Sequence, residues 1–391
     1  MRICFFNDIA VLGGGEIWVL NACRYLTSLN NRVSLVCPYR SPLHAAGQKE
    51  GIDLFTYVHM DGLPFYDPLY HFLKGREIDI LYCTVIGAFC EAKVLERVVD
   101  RINRERPGSK MALVLKTGLP PMAGLTPEYY GVGAGNALRR LHVVSMHIKK
   151  TFLEWLPGIC PDFIEVVYEG TDLERFRREG RYKKRDENRW GIPDNYRVVT
   201  CLARLHQMKG HDDLLLAIPE VLKVHPKTLF LIAGDGEERA RLEHLGDYLN
   251  LDGAVRFIGH VEDVPSLLNI TDILCHPSLN DGIPNSVVEA MATSLPVAAS
   301  RVGGIPEVIE DHVSGLLMPP QDIHAITSTL QRLLADETLR VRLGRNARDK
   351  VKERFDLKKN TDRLVVLLEE ELNELSSMPD TKIAHEENRF S

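Results

Sequence analysis

None of the eight cysteines in this 391-residue chain forms a C-x-x-C pair or a Cys/His cluster at zinc spacing, which excludes the common zinc and dithiol motifs. Cys4, Cys37, Cys83, Cys201 and Cys275 lie inside apolar runs, where a free thiol packs as a small hydrophobe. The expectation is a reducing cytoplasm and no structural metal. No apolar stretch comes near the roughly 20 residues needed to span a bilayer. The opening "MRICFFND" is too short for a signal-peptide apolar region and lacks a small-residue cleavage site, so no leader is expected. Positive charge is not in excess: 48 Lys and Arg against 54 Asp and Glu give −6, so no broad field for nucleic acid is present.

What the chain does contain is ordinary globular material, 45% hydrophobic and 26% charged, long enough for two domains with full cores. Short β-rich apolar runs alternate with helical stretches. Arg2–Asn7, Arg32–Cys37, Ile78–Cys83, Met111–Lys116 and Leu141–Ser145 read as buried strands, with helices such as Glu16–Leu29 and Cys90–Ile102 between them. A second series runs through Arg197–Ala203, Thr228–Gly234, Val255–Gly259, Ile273–Pro277 and Pro296–Ser300. Apolar strands alternating with helices predict parallel sheets covered on both faces, here two doubly wound α/β domains. The polar stretch Glu174–Arg189 reads as a solvated linker. A patch for anionic lipid is the alternative, which its interleaved acids weaken. A helical pattern returns over Leu357–Leu375, with Leu364, Leu367, Leu368 and Leu372 on one face, and the tail beyond is polar.

In a doubly wound sheet ligands bind beyond the carboxyl ends of the strands, so the residues after each strand are the candidates. "NDIAVLGGGE" after the first strand bares backbone at Gly13, Gly14 and Gly15 before a helix near Glu16. It is either an anion cradle or a flexible turn. It is not G-x-G-x-x-G, and no acid stands at the end of the second strand. "ARLHQMKG" puts Arg204 and Lys209 in one strand-to-helix loop, either a diphosphate clamp or a solvated turn. "AGDGEE", with Gly234, reads as a tight turn first and a ligand contact second. "FIGHVED", with His260 and Val261, and "VGGIPEV", with Gly303 and Gly304, carry the same ambiguity. The most unusual stretch is "DGIPNSVVEAMA". Gly282, Ile283 and Pro284 form a loop, Asn285 or Ser286 is expected to cap a helix, and Glu289 falls one turn inside it. Asp281 and Glu289 could each accept hydrogen bonds from neighbouring hydroxyls, or be two solvated acids on a capped surface helix.

The order of these pieces is more specific than any one of them. From about Met1 to Leu375 the chain resembles the bacterial retaining glycosyltransferases of group 1, family 4-like, a group that includes glycogen synthase-like and mannosyltransferase enzymes. The resemblance rests on "GGGE", "VYEGTDLERF" (Val167–Phe176), "ARLHQMKG", "AGDGEE", "FIGHVED" and "DGIPNSVVEAMA" followed by "VGGIPEVI". It implies a GT-B fold, two doubly wound Rossmann-like domains facing a central cleft. Residues 1–165 would form the acceptor domain and 166–355 the nucleotide-sugar donor domain. Residues 356–375 would form a helix packing back on the first domain, and 376–391 a polar tail. By position, Arg204 and Lys209 would hold the donor diphosphate, and Glu289 the ribose. Asp281, with the backbone of Gly282, Ile283, Pro284 and Asn285, would hold the donor sugar and phosphate, and Ser286 would also lie on the donor. Gly234 and the backbone of His260 and Val261 would lie on the donor, the latter two at the base. Gly13, Gly14 and Gly15 would close on donor phosphate and acceptor, with Glu16 beside them. The family pattern departs twice in ways that matter. Asp281 stands where Glu is usual, and Lys116-Thr117-Gly118 stands where a histidine usually follows the strand. Lys116 is then a substitute phosphate or hydroxyl contact. The crossover also reads Glu169-Gly170-Thr171-Asp172 rather than "NGVD".

The implied reaction moves a sugar from a nucleotide-sugar, UDP before GDP, to a glycan, lipid-linked or small-molecule acceptor. No D-x-D occurs anywhere, so the two cations take the place of a metal and no cofactor is expected. No nucleic-acid partner is expected, and a peripheral contact with the inner membrane face is the one membrane role left open. The rival readings are an epimerase or phosphorylase on the same fold, and a non-catalytic nucleotide-sugar binder.

Overall fold

The computed structural model describes residues 1–9, 14–58, 63–84, 89–106, 109–118, 121, 138–178, 190–193 and 195–377. The chain divides into two compact units, Met1–Glu169 with the chain from Lys358 onward, and Gly170–Leu357. In the first unit the strands are β1 (Arg2–Phe6), β2 (Arg32–Pro38), β3 (Asp53–Tyr57), β4 (Ile80–Cys83), β5 (Ala112–Thr117), β6 (Leu138–Val143) and β7 (Ile164–Val166). Between them run α1 (Gly14–Ser28), α2 (Pro42–Lys49), α3 (Leu63–Gly75), α4 (Phe89–Glu105) and α5 (Met146–Trp155). All pairings are parallel, in the order β3-β2-β1-β4-β5-β6-β7.

Both faces of this sheet are buried, as parallel pairing requires. Along β1 the side chains alternate. Cys4 and Phe6 enter one core with Leu69, Val98 and Leu141, while Ile3 and Phe5 enter the other with Trp18, Leu35 and Tyr82. Phe5 is fully buried and meets Tyr82 edge-on at 5.5 Å between ring centres. Truncating such a ring to alanine costs about 3–5 kcal/mol. The closing helix, Leu357–Ser377, adds Leu364, Leu368 and Leu375 to the same core, with Leu367 and Leu372 packed at its margin.

The second unit repeats the plan. Its strands are β8 (Arg197–Leu202), β9 (Thr228–Ala233), β10 (Val255–Gly259), β11 (Ile273–His276), β12 (Val297–Ser300) and β13 (Leu316–Met318). Its helices are α6 (His211–Val224), α7 (Arg239–Tyr248), α8 (Val264–Ile270), α9 (Asn285–Ala292), α10 (Ile305–Val308), α11 (Ile323–Ala335) and α12 (Glu337–Arg354), and the closing helix becomes α13. The strand order is β10-β9-β8-β11-β12-β13, again parallel. The order reverses between β1 and β4 in one unit and between β8 and β11 in the other. Those two points are where a doubly wound sheet opens a crevice at its carboxyl edge.

Three strands were not legible in the sequence, and all three are sheet edges. β3 has no fully buried residue, and β7 and β13 are three residues each. A strand covered on one flank only does not need the continuous apolar run that marks β1 or β9. Among the described residues no helix is long and apolar enough to cross a membrane. Residues 179–189 of the polar stretch and the tail from 378 lie outside the described residues.

Candidate active site

At the carboxyl edge of the second sheet, four loops are joined by backbone hydrogen bonds. The loop after β8 is tied to the turn after β9 by Leu205 N donating to Asp235 O at 2.9 Å and Glu238 N to Leu205 O at 3.1 Å. On its other flank Leu279 N donates to Met208 O at 2.8 Å, joining it to the loop after β11. That loop is tied in turn to the one after β12, where Gly304 N donates to Asp281 O at 3.1 Å. Such close approach requires glycine. A Cβ on Gly234 would stand 2.0 Å from the Ala203 carbonyl oxygen, and one on Gly303 would stand 1.7 Å from that of Asp281; both have positive φ. The glycines read from sequence as turns or bare ligand contacts thus meet the backbone of the next loop.

This weave brings Lys209 and Asp281 together across 72 residues of chain, with Nζ 2.6 Å from Oδ2. Lys209 ends a short 3-10 turn, Gln207–Lys209, opened by the His206 ring accepting from Met208 N. Asp281 follows β11. His276, the last residue of that strand, brings Nε2 to 2.9 Å from the same Oδ2. Burial alone would raise the Asp281 carboxyl, but the hydrogen bonds and charges of His276 and Lys209 outweigh it and hold the group well below the ordinary carboxylate range. Nothing in the sequence singled out His276, a lone histidine at the end of "ILCHP".

Glu289 has the opposite environment. It sits in α9 and, among the described residues, its carboxylate takes no hydrogen bond. Its side chain keeps some solvent access yet lies deep in protein. Burial pushes it up to about 7, against the opposing charge of Arg175. The expected cap is corrected: Pro284, not Asn285 or Ser286, occupies the N-cap in extended backbone, and makes no side-chain hydrogen bond because its ring carries no acceptor. Gly282 and Ile283 lead into it, half-buried. Arg204 lies exposed, with its guanidinium 3.1 Å from Glu237. His260 is exposed just after β10, while Val261 is buried and packs into a core cluster.

In the first unit Gly13 lies outside the described residues. Gly14 and Gly15 open α1, exposed, and Glu16 is buried, accepting from Asn7 Nδ2 at 3.1 Å. Asn7 Nδ2 also donates to Thr84 Oγ1 at 3.1 Å, joining the ends of β1 and β4 at the strand-order reversal. Lys116 is 3% exposed, ion-paired with Glu169, and its ammonium lies 4.0 Å from the centre of the Trp18 ring. Two of the positions expected to depart from the family pattern, Lys116 and Glu169, are therefore each other's partners. Among the described residues no three His, Cys, Asp or Glu side chains gather as a metal site.

Residues 183–350 match the family model described as Glycosyl transferases group 1. The chain is 33% identical over 199 residues to D-inositol 3-phosphate glycosyltransferase of Corynebacterium kroppenstedtii, covering 48% of this chain and 44% of that one. It spans about half the length of the curated relatives it matches. A solved glycosyltransferase from Rickettsia africae ESF-5 has a TM-score of 0.83 at 19% identity, covering 95% of this chain and 98% of that one. Anabaena Alr3699/HepE in complex with UDP-glucose has a TM-score of 0.80 at 20% identity, covering 95% and 100%. These likenesses establish the two-domain Rossmann-like GT-B fold.

Proposed function

We propose that the protein, whose residues 183–350 match the model of glycosyl transferases group 1 within a chain of GT-B fold, is a retaining, metal-independent glycosyltransferase using a nucleotide-sugar donor. The observation that carries this reading is the arrangement at the β8/β11 reversal. A lysine and a carboxylate are paired there, and a second, unpaired carboxylate stands eight residues further along. Glu289 accepts the two ribose hydroxyls, for which it has no competing hydrogen-bond partner among the described residues. Lys209 and Arg204 receive the diphosphate. Arg204 exchanges Glu237 for it at little cost, since an exposed pair is worth about 0–1 kcal/mol.

The sugar–phosphate bond breaks as the acceptor oxygen bonds the same carbon on the same face. The acceptor proton passes to the departing diphosphate oxygen, and the growing charge is met by the two cations, so catalysis is positioning and electrostatics. UDP-glucose is the first donor to try, being the ligand held by the Anabaena protein of the same fold.

The binder reading keeps one observation in its favour: Lys116, standing where the family's histidine is expected, is buried and ion-paired with Glu169. A panel of UDP- and GDP-sugars read by thermal shift identifies the donor, since a ligand of the native state raises the melting temperature. Slow release of free nucleotide from that donor then supports transfer. A donor that binds but stays intact over days leaves the binder.

A further inference from the structure

This inference rests on the donor-site reading. Lys209 Nζ and His276 Nε2 converge on one oxygen of Asp281, Oδ2, at 2.6 and 2.9 Å. Oδ1 takes no hydrogen bond among the described residues. The carboxylate cannot donate while ionised, so Nε2 carries the imidazole hydrogen; Nδ1 is buried with no partner in the described chain.

The two donors differ in kind. Lys209 is a flexible stem with a charge that can turn among three hydrogens. His276 is 2% exposed, at the end of a strand whose backbone is paired in register with β12 at Ala299. A ring anchored in a sheet sets direction; an ammonium does not.

We propose that His276 is a positioning residue of the donor site: it pins Oδ2 of Asp281 so that Oδ1 alone is presented to a hydroxyl of the donor sugar. The ammonium of Lys209, spending one hydrogen on Oδ2, keeps two for the diphosphate. Sugar orientation and leaving-group charge are thereby held on the two ends of one ion pair. His276 touches neither sugar nor phosphate, and nucleotide affinity does not depend on it.

The test compares His276→Phe, which keeps a ring and removes the donor, with His276→Gln, which keeps an N–H at similar reach. UDP, GDP, UDP-glucose, UDP-galactose and GDP-mannose are titrated by calorimetry against the full chain, and nucleotide release is timed for the donor that binds. Melting temperature is recorded for each variant.

Free-nucleotide affinity is expected to stay within about twofold in both variants. His276→Phe is expected to lower nucleotide release from the sugar donor by about ten- to a hundred-fold, the scale of one lost hydrogen bond to a charged group, and His276→Gln to recover most of it. Unchanged release in His276→Phe overturns the inference alone. So does an equal loss of free-nucleotide affinity and rate, or a failure of His276→Gln to rescue at an unchanged melting temperature. If the wild-type chain binds none of the five, the donor-site reading falls first and carries this inference with it.

Discussion

Among the described residues each unit brings a lysine and a carboxylate together near a carboxyl sheet edge, and the two pairs are not equivalent. Lys116 and Glu169 are sealed, with side-chain exposures of 4% and 12%, and the lysine is stacked on Trp18. Lys209 and Asp281 keep 25% and 13%, and one oxygen of the aspartate takes no hydrogen bond among the described residues. The sealed pair meets its charges inside the unit, the lysine between a carboxylate and a ring. The open pair keeps donors and an acceptor in reserve. Sequence position alone would have ranked both lysines as ligand contacts; burial separates them.

The contrast is sharpest in stability. Removing one partner of a buried pair leaves an uncompensated charge and costs about 3–5 kcal/mol. Lys116→Met is therefore expected to lower stability by that order in urea unfolding, and Lys209→Met by less, because Asp281 keeps its His276 hydrogen bond. Equal losses at the two sites would erase the distinction. Lys116→Met combined with Glu169→Gln should return much of the loss, because no charge is then stranded.

In turnover the order inverts. Lys209→Ala or Arg204→Ala is expected to reduce the rate of nucleotide release by about a hundred- to a thousand-fold, more than it weakens donor binding, because charge on the diphosphate grows as the bond breaks. Arg204→Lys recovers only part, lacking the forked contact. Affinity and rate measured separately decide between catalysis and simple anchoring.

Glu289→Ala should weaken donor binding by about ten- to a hundred-fold with the fold intact, the loss of a charged acceptor. Unchanged affinity in calorimetry removes it from the site. A smaller effect follows from its titration. With the carboxyl pushed up to about 7, the group is largely protonated at pH 6 and ionised at pH 8. Donor affinity should therefore rise by about five- to ten-fold across that window. Glu289→Gln should flatten the profile, and a flat wild-type profile contradicts the assignment. Asp281, held far below this range, contributes no slope there. Last and smallest, EDTA is expected to leave activity unchanged. Loss with chelator and recovery with manganese would replace the charge clamp with a metal.

The doubly wound architecture was legible because β1, β4, β5, β8 and β9 are continuous apolar runs, which parallel sheets buried on both faces demand. Arg204, Lys209, Asp281 and Glu289 were legible as types of residue at strand ends. Their partners were not. The Lys209–Asp281 and Lys116–Glu169 contacts join residues 72 and 53 positions apart, and linear order has no record of which cation meets which acid. His276 was hidden for a different reason: at the end of an apolar strand a histidine reads as core. Gly303 and Gly304 were seen, but a glycine's freedom does not announce whether a ligand or another loop comes close.

The backbone bonds that join the loops after β8, β9, β11 and β12 also bear on how such a site can change. Where loops are independent, one may lengthen or be exchanged while its neighbours keep their shape. Here an added residue in the Gly234–Glu238 turn displaces the Leu205 backbone, and with it the neighbouring Arg204. A side chain on Gly303 displaces the backbone of Asp281. The four loops behave as one inherited part. Transplanting a single loop from a relative should fail where transplanting the whole set succeeds, and new specificity must come from side chains on this frame rather than from its outline.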